Sequence, residues 1–413
     1  MHERYEQEFD VIRSAQLNLI LLAAISGIAR LAVADVVSPG ATTAQSPLPP
    51  KTISIPLEYR EVKFPIAGFR VSLTSRNGDR STSIKKSPDT KGAKLIYGAI
   101  EMGKDRIALA WDKSQRKLYL DLNRNQDLTD DPDGVFSASG KGSYQTFTNI
   151  HLSATNPSGE WRLLMDLNLY DFGRGSMDGY ASLRSFYEGQ VELAGKSWQV
   201  GYVKELLRGT SSAESDRLLL RPWEARAQAF SLNDRSADTC ALRQKLFLQD
   251  QAYGTKVSFE KEGGASKLKL ELTPQQTPLG ELKLSGEYVH RLVLEGARDC
   301  TAVFDAPPSV LQVPLGTYHH VQVRLKKGDD EAFGDFDVKV AVTDKTAATL
   351  PVGGPLTNSV AVSRAGHVLR LSYQLVGSGG KPYALVYQGQ RKAPEFAIYK
   401  GDRRLAGGKF EFG

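Results

Sequence analysis

Oxygen-bearing side chains occupy every second position of one short acidic segment and then cluster at its end. Ca²⁺ takes six to eight oxygen ligands at about 2.3–2.6 Å, and one loop can supply them when carboxylates and amides recur at alternate positions. Five carboxylates so close together also repel one another unless a cation balances them. The sequence therefore predicts a structural Ca²⁺ site, and its candidate ligands are Asp121, Asn123, Asn125, Asp127, Thr129, Asp130, Asp131 and Asp133.

An ion-free turn is the alternative interpretation of this segment. Asn and Asp side chains in turns can accept hydrogen bonds from backbone amides two residues further along the chain, without any metal. Mg²⁺ suits the segment less well than Ca²⁺, because a flexible turn rich in ligands favours the larger ion.

The segment resembles the calcium loops of EF-hand and dockerin proteins. Asp121, Asn123, Asn125 and Asp127 match the first four ligand-type positions, and Thr129 matches the ninth. Secreted bacterial β-rich proteins that carry an Asp-x-Asn-x-Asn-x-Asp-Leu-Thr-Asp-Asp loop show a similar pattern. The resemblance is confined to this loop and implies a bound ion, not an activity.

Two positions depart from the EF-hand pattern. Gln126 replaces the turn glycine, and Pro132 stands where the bidentate glutamate is expected. Residues 117–122 alternate as a strand does, so we expect a strand to enter the loop where an EF-hand has a helix. One of the three later aspartates would then replace the missing glutamate.

Motifs for catalysis are not apparent in the rest of the sequence. No His or Cys pair has the spacing of zinc ligands, and His319 and His320 are neighbours on a predicted strand, where adjacent side chains face opposite sides. The chain has no nucleophile elbow and no phosphate-binding glycine loop. Catalytic and cofactor-binding residues are therefore not assigned, although two carboxylates from scattered loops could still form a glycosidase pair.

Composition indicates a folded protein that does not bind nucleic acid. The apolar fraction is 41% and the charged fraction 24%, as in globular proteins, and the 413 residues predict two or three domains. The net charge is +6, but the basic residues occur as scattered pairs interleaved with acids. Phosphate recognition usually needs clustered Lys and Arg, so nucleic acid is not the predicted partner.

The N-terminal segment predicts export. An apolar run at residues 17–29 has the length of a signal-peptide core, and Ala32-Val33-Ala34 forms a cleavage motif that would release a mature chain at Asp35. The residues before the run are acidic where a signal peptide is basic, which suggests a later translation start or, alternatively, a membrane anchor. We expect a signal peptide at 1–34, a flexible linker at 35–50 and no transmembrane span in the mature chain.

The rest of the chain predicts an all-β, mainly antiparallel fold. Short alternating apolar runs are punctuated by Gly, Asn, Asp and Pro, and only residues 222–228 and 239–247 suggest short helices. We expect a β domain with the calcium-type loop at 51–178, a β domain at 179–286 that is a possible degenerate repeat of the first, and a C-terminal β-sandwich at 287–413. An immunoglobulin-like or transthyretin-like form is expected for the last, from the Pro-Gly-Tyr pattern at 313–318.

Two cysteines, Cys240 and Cys300, could form a disulfide in an oxidising compartment or remain two buried thiols. Aromatic residues between 161 and 198 could form a sugar-stacking platform or fill a β-core.

The sequence thus favours an exported, periplasmic or extracellular, calcium-stabilised β-rich binding or structural protein. Its expected partner is a polysaccharide or cell-surface component. A secreted carbohydrate-active hydrolase is the alternative. Oligomeric state, ligand and true translation start are not determined by these residues.

Overall fold

The computed structural model describes residues 51–71, 84–90, 92, 94–102, 105–139, 144–156, 159–171, 177–204, 216–230, 232, 237–262, 265–296, 300–386 and 394–410. The predicted signal peptide and linker at residues 1–50 lie outside this part of the chain. Residues 49–413 form one compact unit.

Twenty-eight strands make up most of the described structure. The N-terminal strands are β1 (Ile53–Glu61), β2 (Ala67–Val71), β3 (Leu95–Met102), β4 (Asp105–Asp112), β5 (Lys117–Leu120), β6 (Val135–Ser137), β7 (Tyr144–Asn156), β8 (Gly159–Asp171) and β9 (Met177–Leu183). The central strands are β10 (Ser185–Leu193), β11 (Lys196–Val203), β12 (Arg217–Pro222), β13 (Thr239–Ala241), β14 (Lys245–Leu248), β15 (Gln251–Glu262), β16 (Ala265–Gln275) and β17 (Leu279–Leu284).

The C-terminal strands are β18 (Val289–Gly296), β19 (Cys300–Asp305), β20 (Val310–Pro314), β21 (Gly316–Lys327), β22 (Asp330–Val342), β23 (Ala348–Leu350), β24 (Thr357–Ala365), β25 (Val368–Val376), β26 (Pro382–Val386), β27 (Glu395–Lys400) and β28 (Arg403–Lys409). Helical structure in the described residues is limited to short 3₁₀ segments at Pro132–Gly134, Trp223–Ala227 and Ser378–Gly380.

The prediction of an all-β, mainly antiparallel fold is confirmed. Only two strand pairs in the described part are parallel, β14 with β19 and β17 with β23. The prediction of a helix at 239–247 is wrong, because that segment supplies β13 and β14. The more specific prediction of an immunoglobulin-like or transthyretin-like C-terminal domain stays a prediction, as do the three domain boundaries.

Two four-stranded sheets surround the acidic loop. Their strand orders are β2-β9-β8-β7 and β3-β4-β5-β6. Buried side chains of both sheets, including Trp111, Phe147 and Met165, form one hydrophobic cluster between them, as in a β-sandwich. The other face of the β3-β4-β5-β6 sheet is also covered, by a cluster that includes Ile84 and Leu128. Because both faces of this sheet are covered, consecutive residues of β4 and β5 are buried.

A fifteen-stranded ladder makes up most of the remaining structure. Its strand order is β13-β12-β11-β10-β1-β16-β15-β14-β19-β18-β21-β22-β26-β25-β24. One hydrophobic cluster contains side chains from β1, β11 and β12 and also from β18 and β19, so the ladder curls until these distant strands share a core. A further cluster lies between strands β18, β19, β21 and β22 of this ladder and the separate three-stranded sheet β20-β17-β23.

Side chains of β18 and β19 close this curl against the edge strand β13. The Ala241 amide donates to Glu295 at 2.9 Å, and the Thr301 hydroxyl donates to the Ala241 carbonyl at 2.8 Å. Arg291, which is only 2% exposed, donates to the carbonyls of Ala237 and Leu220. Side-chain hydrogen bonds thus replace the backbone ladder at the place where the two ends of the sheet meet.

The two cysteines are separate residues with no disulfide between them. Cys240 lies on β13, and burial followed by the charge of Glu295 raises the pKa of its thiol to about 12. Cys300 begins β19 and lies beside the buried Tyr318. The predicted aromatic platform also has a core-like arrangement, since Trp161 packs edge-on against Tyr187 and Phe259.

Candidate metal centre

The acidic loop connects β5 to β6, so a strand enters it as the alternation predicted. Leu128 is the apolar anchor of the loop, because its side chain is 2% exposed and packs in the cluster that covers β4. The backbone of the loop is fixed to a neighbouring segment, since the Lys85 amide donates to the Gln126 carbonyl at 2.8 Å and the Leu128 amide to the Lys86 carbonyl at 3.1 Å. These contacts hold the loop in place independently of the hydrogen bonds among its own polar side chains.

A ladder of side-chain turns runs along the first half of the loop. The Asn123 Oδ1 accepts from the Asn125 amide at 3.0 Å, the Asn125 Oδ1 from the Asp127 amide at 2.7 Å, and the Asp127 Oδ1 from the Thr129 amide at 2.8 Å. The ion-free interpretation predicts these bonds. They account for the alternation at 123, 125 and 127, but they do not involve the carboxylate at each end of the segment.

Asp121 and Asp131 are the two buried carboxylates of the loop. They are 2% and 9% exposed. Each has one oxygen that accepts from a backbone amide, Asp121 Oδ2 from Gln126 at 3.1 Å and Asp131 Oδ1 from Asn123 at 3.2 Å. The second oxygen of each, Asp121 Oδ1 and Asp131 Oδ2, is buried and has no hydrogen-bond partner within the described residues. A buried carboxylate oxygen without a partner is costly, because it has lost its water and gained nothing in return.

Electrostatics make these two carboxylates still less favourable as anions. Burial raises the pKa of Asp121, and the charge of Asp130 raises it further against the opposing backbone amides. Burial likewise raises the pKa of Asp131, and the charges of Asp121 and Asp130 add to the effect. Three carboxylates therefore interact unfavourably in one partly buried place.

Two basic residues of the described part that lie at the loop, Arg124 and Lys86, pair with other groups than Asp121 and Asp131. Arg124 turns away, because its Nη1 pairs with Asp105 at 3.2 Å and its Nη2 donates to the Ser153 carbonyl. Lys86 pairs with Asp127 at 3.2 Å. Hydrogen bonds from Thr129 and the contact with Lys86 lower the pKa of Asp127, so this carboxylate is already satisfied as an anion.

The structure therefore divides the eight predicted ligands into groups. Asp121 and Asp131 are the buried members, and the charge of Asp121 raises the pKa of Asp131 after burial does. Asp130 lies beside them, where it accepts from the side-chain amides of Asn123 at 3.2 Å and Asn125 at 2.6 Å. The remaining three, Asp127, Thr129 and Asp133, are directed elsewhere or exposed. Within the described residues, no three His, Cys, Asp or Glu side chains already form a metal cage.

Gln126 adopts the backbone conformation of the glycine it replaces. Its φ is 72°, in the left-handed region where a side chain costs about 1 kcal/mol and glycine does not. Gln126 therefore carries a backbone strain that glycine would not have at this position.

Replacing Gln126 with glycine is expected to stabilise the protein by about 0.5–1 kcal/mol, because the relief of strain exceeds the added entropy of the unfolded chain. Urea denaturation measures the change. Gln115→Gly is the matched control, since Gln115 lies in a turn without positive φ, and it is expected to destabilise. Equal losses for both variants would contradict this expectation.

A cavity of about 330 Å³ lies apart from the loop, beside β1, β10 and the 3₁₀ segment at Trp223–Ala227. Its polar wall is internally bonded. Arg60 pairs with Glu188 at 3.1 Å, Gln199 donates to Glu188 at 2.5 Å, and Arg221 donates to Gln199 at 2.6 Å. Glu61, the other acid of the wall, lies 3.6 Å from His151. Both carboxylates already contact basic or amide groups, so the hydrolase alternative gains no support from this cavity.

One side-chain cluster was not found from the sequence. His320 on β21 lies 3.1 Å from Asp335 and 3.4 Å from Asp337, both on β22. Their alternate spacing, which puts both on one face of a strand, was the signal that could have identified the pairing.

Comparison with known proteins adds no relative. No family model matches the chain, and neither a curated protein nor a solved structure matches it. The part of the chain that the structure describes contains no helix long and apolar enough to cross a membrane. Function is therefore inferred from the residues themselves.

Proposed function

We propose that the chain is an exported, calcium-stabilised β-rich protein that acts by binding or as a structural component of the periplasm or cell surface. The Ca²⁺ ion would have a structural role in the loop between β5 and β6. A polysaccharide or another cell-surface component is the class of partner that we propose for it.

One observation carries the calcium proposal. Asp121 and Asp131 are buried, each has an oxygen without a hydrogen-bond partner among the described residues, and the anion of each is disfavoured first by burial and then by neighbouring acids. A bound divalent cation would supply the missing partner to both oxygens and neutralise the repulsion at the same time. The ion-free turn explains the bonds of Asn123 and Asn125 but not these two oxygens.

Further ligands are close to this pair. Asp130 is held only by the two side-chain amides of Asn123 and Asn125, so it could exchange those bonds for the ion. The amide oxygens of the same asparagines and backbone carbonyls would complete an oxygen shell of the kind that Ca²⁺ prefers. Asp127 and Thr129 are weaker candidates because they contact each other and Asp127 also pairs with Lys86, and Asp133 is weaker because it is exposed.

The position of the loop would allow an ion bound in it to stabilise the neighbouring sheet. It joins two strands of the β3-β4-β5-β6 sheet, and Leu128 belongs to the core of that sheet. An ion that holds Asp121 at the end of β5 and Asp131 before β6 would fix the separation of these strands. We therefore assign the ion a structural role.

Addition of Ca²⁺ to metal-free protein is expected to raise the melting temperature by about 5 °C. Ligand at about a thousandfold excess over Kd stabilises by about 4 kcal/mol, and the shift follows from the unfolding entropy of a chain of this size. Scanning calorimetry in chelator and then in Ca²⁺ or Mg²⁺ measures it.

The matched control is Asp133→Asn, which removes one negative charge from an exposed position of the same loop. This variant should keep the response to Ca²⁺, whereas general charge screening would make it respond less. Absence of any shift in the wild-type protein at millimolar Ca²⁺ would refute the site.

A further inference from the structure

The net positive charge of the chain comes from its C-terminal seventh. Residues 357–413 contain nine Lys or Arg and three Asp or Glu, and the excess of six equals the net charge of the whole chain. The preceding 356 residues are balanced, with 44 of each sign. The basic pairs that look scattered along the sequence thus produce an excess in one region only.

The described part of this region consists mainly of two exposed hairpins. The first is β24–β25, and every residue of β24 is exposed. Val360 pairs with Tyr373, Val362 with Leu371, and Arg364 with Leu369, so these side chains lie on one face of the hairpin. We call this the apolar face. Its outer part is open to solvent, since Val360, Val362 and Leu369 are 44%, 62% and 49% exposed.

The second hairpin is β27–β28, and it packs on the inner part of the apolar face. Phe410 follows β28, and its ring centroid lies 5.3 Å from that of Tyr373 and 5.0 Å from that of Phe396. These aromatic contacts join the two hairpins. They leave the outer part of the apolar face uncovered.

Both hairpins carry basic and apolar side chains together near their turns. The first turn is flanked by Arg364, Arg370 and the 59% exposed Val368. Around the second turn lie Lys400, Arg403 and Arg404, and beside them Tyr399 and Leu405 are 59% and 54% exposed. Seven of the fourteen large hydrophobic side chains that are exposed in the described residues belong to this region. Exposed apolar side chains in such a concentration mark an interaction surface.

We propose that the two hairpins, residues 357–376 and 395–409, form a docking surface for a lipid bilayer with anionic headgroups. The two hairpins carry six Lys or Arg against two Asp or Glu, which is complementary to such a surface, and their exposed Val, Leu and Tyr side chains are suited to enter the region between headgroups and acyl chains. An anionic polysaccharide or nucleic acid would match the charge but would leave the aliphatic side chains in water. The combination favours lipid.

Co-sedimentation with vesicles in the presence of EDTA tests the proposal, and the chelator makes the result independent of the calcium loop. The full chain is expected to bind vesicles of equimolar phosphatidylcholine and phosphatidylglycerol, to bind phosphatidylcholine alone much less, and to dissociate at high salt. Equal binding to both vesicle types, or no binding to either, would overturn the proposal.

A hairpin variant and a matched control variant locate the surface. Combined Lys400→Gln, Arg403→Gln and Arg404→Gln should weaken partitioning roughly a hundredfold, at about fivefold for each basic residue lost. The control Lys94→Gln, Lys196→Gln and Lys345→Gln removes the same charge from exposed positions elsewhere and should change partitioning less than about threefold. A loss in the control as large as that in the hairpin variant would overturn the location.

The third variant separates lipid from an anionic polymer. Val362→Ser with Leu369→Ser alters only exposed side chains, so folding should be unaffected, and partitioning should fall about tenfold. The lipid proposal would be overturned if this variant bound vesicles as the wild-type protein does and the wild-type protein bound a sulfated polysaccharide such as heparin equally tightly. The ligand would then be an anionic polymer.

Discussion

The Asp131→Asn variant is expected to be more stable than the wild-type protein without calcium, and to lose most of the stabilisation that calcium gives. Asp131 is 9% exposed, and its Oδ2 lacks a partner beside two other carboxylates. Removing its charge relieves a buried and unpaired anion, which should add about 1–3 kcal/mol to the free energy of unfolding in chelator. The same change removes a ligand, so the gain of about 4 kcal/mol from saturating calcium should largely disappear.

The opposite signs of the two effects make this experiment discriminating. A carboxylate with a purely structural hydrogen-bonding role would destabilise the protein in both conditions when replaced. Denaturant unfolding in EDTA and in excess Ca²⁺ measures both values, with Asp133→Asn as the control that should change neither by more than about 0.5 kcal/mol. If the wild-type protein and the Asp131→Asn variant showed the same calcium response, Asp131 would be excluded as a ligand.

The pH dependence of the metal-free protein provides a second measurement on the same pair. The pKa values of Asp121 and Asp131 are raised above 3.8 in the folded state, so the folded protein keeps these protons to a higher pH than the unfolded chain does. Their contribution to stability therefore falls as pH rises through the window between 3.8 and the folded pKa. The advantage of Asp131→Asn over wild type should be largest at neutral pH and should shrink as Asp131 becomes protonated.

Arg291→Met is expected to destabilise the protein by about 3–5 kcal/mol, because it removes one partner of a buried charge pair. Arg291 is 2% exposed, pairs with Asp305, and donates to the carbonyls of Leu220 and Ala237. Methionine fills a similar volume without any donor, so the carboxylate and both carbonyls lose a hydrogen bond in a buried place. Urea denaturation measures the loss.

Arg60→Met is the matched control for this prediction. Arg60 also pairs with a glutamate, at 3.1 Å from Glu188, but its side chain is 54% exposed. Exposed pairs contribute about 0–1 kcal/mol, so this variant should be nearly neutral. A small effect for Arg291→Met, similar to that of the control, would show that the curl of the fifteen-stranded ladder does not depend on Arg291.

Local patterns were sufficient to predict the strands. Alternation with period two is a property of neighbouring residues, and it predicted a strand at 117–122, where β5 lies. The same approach failed at 239–247. Leu, Arg, Gln and Lys in that segment are good helix formers, but β13 and β14 are placed by pairing with β12, β15 and β19. Tertiary contacts outweighed the local preference there.

The sequence by itself determined that oxygen ligands are concentrated at residues 121–133, because the types and spacing of side chains are fixed along the chain. It could not rank them, since burial and repulsion depend on what the fold brings near. Only the tertiary structure decided that Asp121 and Asp131 are buried with unpaired oxygens while Arg124 and Lys86 pair elsewhere. Likewise, the net charge of six could be counted, but the exposure of Arg364, Arg403 and Arg404 on hairpins with an uncovered apolar face follows from packing that no local pattern records.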